Sequence, residues 1–362
     1  MARRKERRST EVRKAKKSGV APAHDHSKVL MDDGQINISQ SKVKSWRQCR
    51  RQYWWKYVQM LQKKIRKRPF MFGGIVHQIC EADFEREDWH DVLDGIELDN
   101  KKLFKREREM YGNIIEDIRD IMTDYFTYWD ESNPAFVKPI KHDGRRSEFE
   151  FRIELDDALW FTGRIDSVVK SKGMRWVMEH KTFSRMPSED ERWRSVQAAV
   201  YFRALEEMGF KTIDGVLWDY VSSKPPSAPG ELTATGKLSK KRIDSVVPKI
   251  KRWGKETGTP KEELKKFIED AKKNRPNRFI RLFSPVKRPV VDMIWEDFVD
   301  TAREIQEGHG VKKDMNVGRH CTWCDYQPLC KAMMTGADVD WIVKRDYMVE
   351  SDDHKADRSE DE

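Results

Sequence analysis

The chain has 362 residues, of which 38% are hydrophobic, so it is long enough to bury the core of one large domain or of two modest ones. It contains no run of roughly 18 apolar residues, and its basic N-terminus lacks the apolar stretch of a signal peptide, which excludes the common membrane and secreted classes. The formal net charge is +9. We therefore expect a cytoplasmic protein with a polyanionic partner such as DNA.

The two ends of the chain carry opposite charge. Residues 1–17 hold a basic excess and residues 350–362 an acidic excess, which leaves the middle of the chain positive as well. Residues 1–35 and 349–362 show no apolar period, so we expect both to be disordered tails. Both tails could simply be solvated. The acidic tail could also compete with DNA for a basic groove.

Helical periodicity dominates residues 36–135. Ser41 is a plausible N-cap for a helix that continues to Leu61, and a second helix follows through the segment GGIVHQICEADFE. A third helix is predicted near 103–130, where apolar residues recur along one face. This N-terminal region is therefore predicted to be helical.

The pattern changes to period two in the region 136–222. The segments SEFEFRIEL, LWFTGRIDSVV and RWVMEHKTF predict an antiparallel meander of three strands. A helix from about Glu189 to Met208 and the strand GVLWDYVSS follow, the order expected when a strand is added by a helical crossover. The predicted fold class is α/β (α+β), with a mixed central sheet flanked by helices.

Residues 223–310 continue with two helices at about 241–255 and 260–273, a short strand FIRLFSP and a helix near 288–307. The part from 222 to 275 is an excursion that could serve as a lid, a DNA clamp or a partner surface. The last predicted unit is a cysteine-rich segment at 311–348.

Two acidic residues and a lysine fall on neighbouring predicted strands. Asp166 lies in GRIDSVV, and the next strand ends in Glu179, His180 and Lys181. Residues 179 and 181 share a face because the strand period is two, and carboxylates of adjacent antiparallel strands can converge. With the backbone carbonyl of His180 they would form an oxygen site for Mg²⁺ or Mn²⁺. Surface ion pairs with neighbouring basic residues are the alternative.

Two further motifs flank this hairpin. Upstream, Gly73 to His77 read GGIVH on the predicted second helix; downstream, Gln197 to Tyr201 read QAAVY. Together with the Asp and Glu-x-Lys hairpin, their order resembles that of the PD-(D/E)XK superfamily and its RecB-like nucleases. The resemblance covers roughly residues 41–221 and implies a metal-dependent nuclease. It assigns His77, Asp166 and Glu179 to the metal and Lys181, Gln197 and Tyr201 to catalysis.

Three of the five cysteines, Cys321, Cys324 and Cys330, lie within ten residues. Three thiolates are one ligand short of a closed site, and the fourth could be Cys49, Cys80 or, for zinc, His320. The spacing resembles the iron–sulfur subgroup of RecB-like nucleases, which includes AddB and the CRISPR-associated exonucleases. That resemblance implies a 4Fe-4S cluster held with Cys49, with Zn²⁺ as the alternative. Cys80 is interpreted as a small buried hydrophobe.

Basic residues and rings alternate in several segments, as in proteins that bind single-stranded DNA. Most of these rings are expected in the core. Arg192, Arg194 and Arg203 lie near Gln197 and are the first candidates for phosphate contacts.

The leading hypothesis is a DNA exonuclease that acts on single-stranded ends, in recombination, repair or phage replication. By resemblance, such chains are often encoded by bacteriophages. No Walker-type phosphate loop is present, so unwinding would require a helicase or recombinase partner. A non-catalytic DNA-binding or assembly factor and an endonuclease on the same core remain alternatives.

Overall fold

A computed structural model describes residues 35–189, 196–210, 212–228, 245–274 and 278–349. The two tails that the sequence predicts to be disordered lie almost wholly outside these ranges. In the described part of the chain, no helix is both long enough and apolar enough to cross a bilayer.

The first helical segment is interrupted, in contrast to the single helix that we predicted. Strand β1 (Ile36–Ile38) leads into α1 (Gln40–Gln48), whose N-cap is Ser39 rather than Ser41. Cys49 then has extended backbone with φ −167° and ends α1. The chain resumes as α2 (Arg50–Tyr53) and a π-helical turn at Trp54–Val58, followed by β2 (Leu61–Lys63). The break places the Cys49 thiol outside the regular helix.

Four helices follow. They are α3 (Arg68–Glu85), α4 (Trp89–Lys101), α5 (Lys105–Tyr111) and α6 (Ile114–Tyr128). The long helix predicted at 103–130 is therefore two helices, because Gly112 has φ +54° and breaks the backbone between them. The apolar face of the second half is confirmed, since Ile118, Ile121 and Met122 of α6 are fully buried.

Within the described residues, the central sheet has seven strands. Besides β1 they are β3 (Lys138–Pro139), β4 (Ser147–Asp156), β5 (Leu159–Ser171), β6 (Met174–Phe183), β7 (Gly215–Ser222) and β8 (Phe279–Pro285). The strand order is β1-β5-β6-β7-β8, and β3 and β4 also pair with β5. The pairs β1–β5 and β6–β7 are parallel and the others antiparallel, so the predicted mixed sheet is confirmed.

Helices cover the sheet. The crossover helix α7 (Val196–Glu207) connects β6 to the parallel strand β7, as the sequence predicts. After α8 (Val247–Thr257), α9 (Lys261–Asn274) and β8 comes α10 (Arg288–Gly308). One core cluster joins sheet residues such as Phe161 to α1, α7 and α10, and a second one lies among α3, α4 and α6. The fold class is thus a mixed α/β architecture with a flanked central sheet.

The cysteine-rich end packs against the first helices. It contains a 3₁₀ turn at Arg319–Thr322, α11 (Gln327–Thr335), α12 (Val339–Asp346) and β9 (Tyr347–Val349). Strand β9 pairs antiparallel with β2. A small core of Trp55, Leu61, Tyr326, Leu329 and Tyr347 holds the two parts together.

Candidate active site

Asp166 and Glu179 lie next to each other on β5 and β6, just beyond the paired residues Ser167 and Met178. The antiparallel register therefore brings together the two carboxylates that we selected from the sequence. The backbone N–H of His180 donates to Asp166 Oδ2 at 2.8 Å, which fixes that side chain across the strand pair. Glu179 is only 3% exposed.

Glu179 is the centre of a polar network that contains three other predicted residues. Its Oε1 accepts hydrogen bonds from Lys181 Nζ at 2.5 Å and from Gln197 Nε2 at 2.6 Å. Gln197 also donates to the hydroxyl of Tyr201 at 3.2 Å. The Oε2 atom of Glu179 is buried and has no hydrogen-bond partner within the described part of the chain. Both donors thus occupy one carboxylate oxygen and leave the other one for a cation.

His77 approaches the same place from α3. Its Nδ1 lies 3.6 Å from Asp166 Oδ2, and the ligand atoms of His77, Glu148 and Asp166 all lie within 4.8 Å of one another. An imidazole and two carboxylates are a donor set suited to Mn²⁺ or Mg²⁺. The residues therefore fit a divalent cation, which the unpaired Glu179 oxygen also favours.

Glu148 is the site residue that sequence analysis missed. It occupies a polar position in the alternating segment SEFEFRIEL, which predicts a solvent-facing side chain. In the structure its φ is +50°, and Ser147, Glu148 and Phe149 are buried in succession, so the alternation fails at this point. Arg164 Nε lies 3.5 Å from Glu148 Oε2. A left-handed backbone at a non-glycine residue is costly, so the surrounding structure must hold Glu148 in this conformation.

Glu85 holds the start of β4 in this conformation. Its Oε1 accepts hydrogen bonds from the backbone N–H groups of Arg146 and Ser147 at 2.5 and 2.9 Å, and from Ser147 Oγ at 2.8 Å. Glu85 and His77 lie two turns apart on α3. The same helix therefore contributes one candidate ligand and anchors the backbone beside another.

The electrostatics of the site favour a bound cation. Burial raises the pKa of Asp166, and burial together with the Asp166 charge raises the pKa of Glu179. Burial acts to lower the pKa of Lys181, but the Glu179 and Asp166 carboxylates outweigh it and raise that pKa. Several anionic groups in so small a volume are costly to ionise together without further positive charge.

A row of buried polar side chains extends from β6 across β7 to β8. The sheet register pairs His180 of β6 with Asp219 of β7, and Asp219 with Arg281 of β8. His180 Nδ1 is 2.8 Å from Asp219 Oδ2, and Arg281 Nε donates to Asp219 Oδ1 at 3.1 Å. The Tyr125 hydroxyl of α6 also donates to Asp219. We call these four residues the Asp219 row.

The Asp219 row is buried, and its members stabilise one another's charges. Burial alone would raise the pKa of Asp219, but Arg281 and His180 hold it at about 2. Burial disfavours the imidazolium of His180, but the neighbouring Cys80 and the hydrogen bond to Asp219 raise the pKa of His180 well above its usual value. Because the His180 backbone holds Asp166, the row connects the edge strand of the sheet to the candidate metal ligands.

Of the three arginines expected to contact phosphate, the structure describes one. Arg192 and Arg194 lie outside the described residues. Arg203 donates to Glu206 at 2.9 Å on the same helix, and its guanidinium lies over the ring of Trp295. Its placement thus indicates a packing role at the α7–α10 contact.

Four cysteines gather where the C-terminal segment meets the first helices. The backbone N–H of Asn316 donates to Cys49 Sγ, and that of Gly318 donates to Cys321 Sγ, both at 3.5 Å. Burial raises the pKa of Cys324 to about 11, with further contributions from the neighbouring Cys330 and Cys49. Cys80 is buried on α3, as predicted for a structural thiol.

Comparison with known proteins identifies a family over most of the chain. The family model described as the PD-(D/E)XK nuclease superfamily matches residues 37–331. No match was found among curated proteins. Among solved structures, a crystal structure of SSO0001 is similar over 75% of this chain and 87% of that chain, with 9% sequence identity and a TM-score of 0.27. A TM-score this low supports no argument about function.

Proposed function

We propose that this chain, which belongs to the PD-(D/E)XK nuclease superfamily, is a metal-dependent DNA exonuclease. Its substrate would be the ends of single strands. The observation that supports metal-dependent cleavage is the convergence of His77, Glu148 and Asp166 beside the Lys181–Glu179 pair. The positive charge of the chain supports a nucleic-acid substrate.

The side chains of the site have separable tasks. His77, Glu148, Asp166 and Glu179 Oε2 would hold Mg²⁺ or Mn²⁺, together with the backbone carbonyl of His180. When bound, such an ion supplies a Lewis acid for the phosphate and lowers the pKa of water. Lys181 places its ammonium beside these carboxylates, where it can orient the attacking water or neutralise a phosphate oxygen. Gln197 and Tyr201 hold Glu179 in position.

We also propose that Cys49, Cys321, Cys324 and Cys330 bind a 4Fe-4S cluster, with Zn²⁺ as the alternative. Backbone N–H groups directed at Cys49 and Cys321 support this, because such hydrogen bonds stabilise thiolates bound to a cluster. The cluster would connect α1 to the C-terminal segment. A structural role follows, since Cys324 and Cys330 pack against the small core around Tyr326 and Leu329.

The nuclease is tested with end-labelled single- and double-stranded DNA in Mg²⁺, Mn²⁺ or EDTA, using protein purified without oxygen. Lys181→Ala and Asp166→Ala are expected to abolish cutting while DNA binding remains. Lys170→Ala is the matched control, because Lys170 is an exposed lysine of β5. A covalently closed single-stranded circle separates the activities, since an exonuclease leaves it intact and an endonuclease opens it.

The alternative outcome would change the functional assignment. Wild-type protein that binds DNA but cuts nothing under any condition would favour a DNA-binding or assembly factor. Normal cutting by both variants would show that the site is elsewhere. A helicase or recombinase partner is proposed for duplex substrates, and the rate on blunt duplexes without a partner tests that proposal.

A further inference from the structure

One face of α3 leads from the active site toward the start of the helix. Phe70, Gly74, His77 and Glu81 follow each other at intervals of three or four residues, so they form one stripe. The second half of the stripe shows which way this face points, because His77 approaches Asp166 and Glu81 pairs with Arg145 at 3.2 Å. Phe70 therefore lies on the active-site face, about 10 Å from His77 along the helix axis.

The turn of α3 between Phe70 and His77 lies close to β6. Gly73 and Gly74 occupy this turn, and a Cβ atom at Gly73 would lie 3.5 Å from Thr182 Oγ1, next to Lys181. Phe70 itself is 47% exposed. The helix thus has no side chains at Gly73 and Gly74, between the exposed ring of Phe70 and His77.

A second exposed ring belongs to a residue near the beginning of α3. The Lys67 Nζ donates to the backbone carbonyl of Trp323 at 3.2 Å, which brings the cysteine-rich segment to the beginning of α3. Trp323 is 68% exposed. Phe70 is one turn from Lys67, so the exposed ring of Phe70 and the backbone of Trp323 both lie near the beginning of α3.

The surroundings of these rings are basic. The segment from Lys63 to Arg68 contains five cations in six residues, and Lys64 and Lys67 are exposed. Among the rings of the other basic segments, Tyr53, Trp55 and Tyr201 are buried, and Trp54 and Tyr57 are half-buried. Exposed aromatic rings beside basic side chains are the features with which proteins hold unpaired bases.

We propose that Phe70 and Trp323 form a stacking track that guides single-stranded DNA along α3 to the site at His77. The proposal rests on the proposed nuclease function and specifies its substrate. Unpaired bases can stack on these rings, whereas bases in a duplex already stack on each other. The track would therefore select for single strands without reading their sequence.

The test measures binding of fluorescein-labelled oligo(dT) by fluorescence anisotropy in EDTA, in comparison with an abasic oligonucleotide of equal length. Phe70→Ala is expected to weaken oligo(dT) binding by about 5- to 100-fold and to leave abasic binding unchanged. Phe70→Trp retains a ring and should restore binding. Trp323→Ala should lose more affinity for long than for short oligonucleotides.

Phe104→Ala is the matched control, because Phe104 is 82% exposed and lies at the beginning of α5. Equal losses for Phe70→Ala and Phe104→Ala, or equal losses on oligo(dT) and abasic DNA, would refute the track. Wild-type cutting in Mg²⁺ is measured in parallel. If the wild type cuts but Phe70→Ala binds normally, the track is wrong and the nuclease stands; if the wild type never cuts, the proposed function fails.

Discussion

Replacing Asp219 by Ala tests whether the Asp219 row stabilises the fold. The substitution removes the acceptor for His180, Tyr125 and Arg281 at once. The side chain of Arg281 is only 4% exposed, so its charge would stay buried after losing the carboxylate to which it donates. Breaking a buried pair in this way costs about 3–5 kcal/mol. That is a large fraction of the roughly 5–15 kcal/mol by which a folded domain is stable.

Urea denaturation followed by tryptophan fluorescence measures the loss as a lower midpoint with an unchanged slope. Asp219→Asn keeps a carbonyl acceptor and should lose less stability than Asp219→Ala. Because the backbone of His180 holds Asp166, the Asn variant should also cut DNA about tenfold more slowly, or worse. Glu256→Ala serves as the control at an exposed acid. A loss below about 1 kcal/mol for Asp219→Ala would refute the reasoning.

Three other predictions concern different parts of the molecule. Glu148→Gln should raise the Mn²⁺ concentration needed for half-maximal cutting at least about tenfold, and an unchanged metal titration would exclude Glu148 as a ligand. Cys321→Ser should remove iron and acid-labile sulfide from anaerobically purified protein and lower its Tm; zinc in the wild type would instead identify a zinc site. Burial alone would raise the pKa of Asp120, but hydrogen bonds from Lys249 and Arg252 outweigh burial and lower that pKa. The ionised Asp120 therefore stabilises the fold above about pH 4, and this stabilisation is lost as the pH falls further. Asp120→Asn should therefore cost about 1–2 kcal/mol at pH 7 and flatten the acid limb of a pH–stability curve, whereas a parallel curve would contradict this assignment.

Much of the fold could be predicted because its central elements have strong local patterns. The alternation in β4 to β6 is enough to place Asp166, Glu179 and Lys181 on adjacent strands, and helical spacing is enough to place Gln197 and Tyr201 on one face of α7. The pairs β1–β5 and β2–β9 could not be predicted, because three-residue strands have no period of their own and depend on partners distant in sequence. Helix α4 was missed for a related reason, since its only buried residue is Leu93.

Two local backbone conformations explain the other differences at the sites. The extended Cys49 interrupts a pattern that otherwise predicts a continuous helix, and the left-handed Glu148 turns a side chain from the polar face into the protein. Both positions belong to candidate ligand sets. Sequence periodicity assumes regular geometry, so it fails where a site requires an irregular residue.

The long excursion between β7 and β8 begins and ends at residues that pair with each other in the sheet. Val221 pairs with Phe279, and the Ser222 N–H donates to the Arg278 carbonyl at 2.9 Å. The excursion is thus an elaborated hairpin loop whose two ends are held in place whatever lies between them. Because the entropy of closing a loop rises only slowly with its length, a change in the length of this segment should leave the pairing of β7 with β8 in register. Helix α8 inside the segment is nevertheless part of the fold, since its Lys249 and Arg252 bind Asp120 of α6.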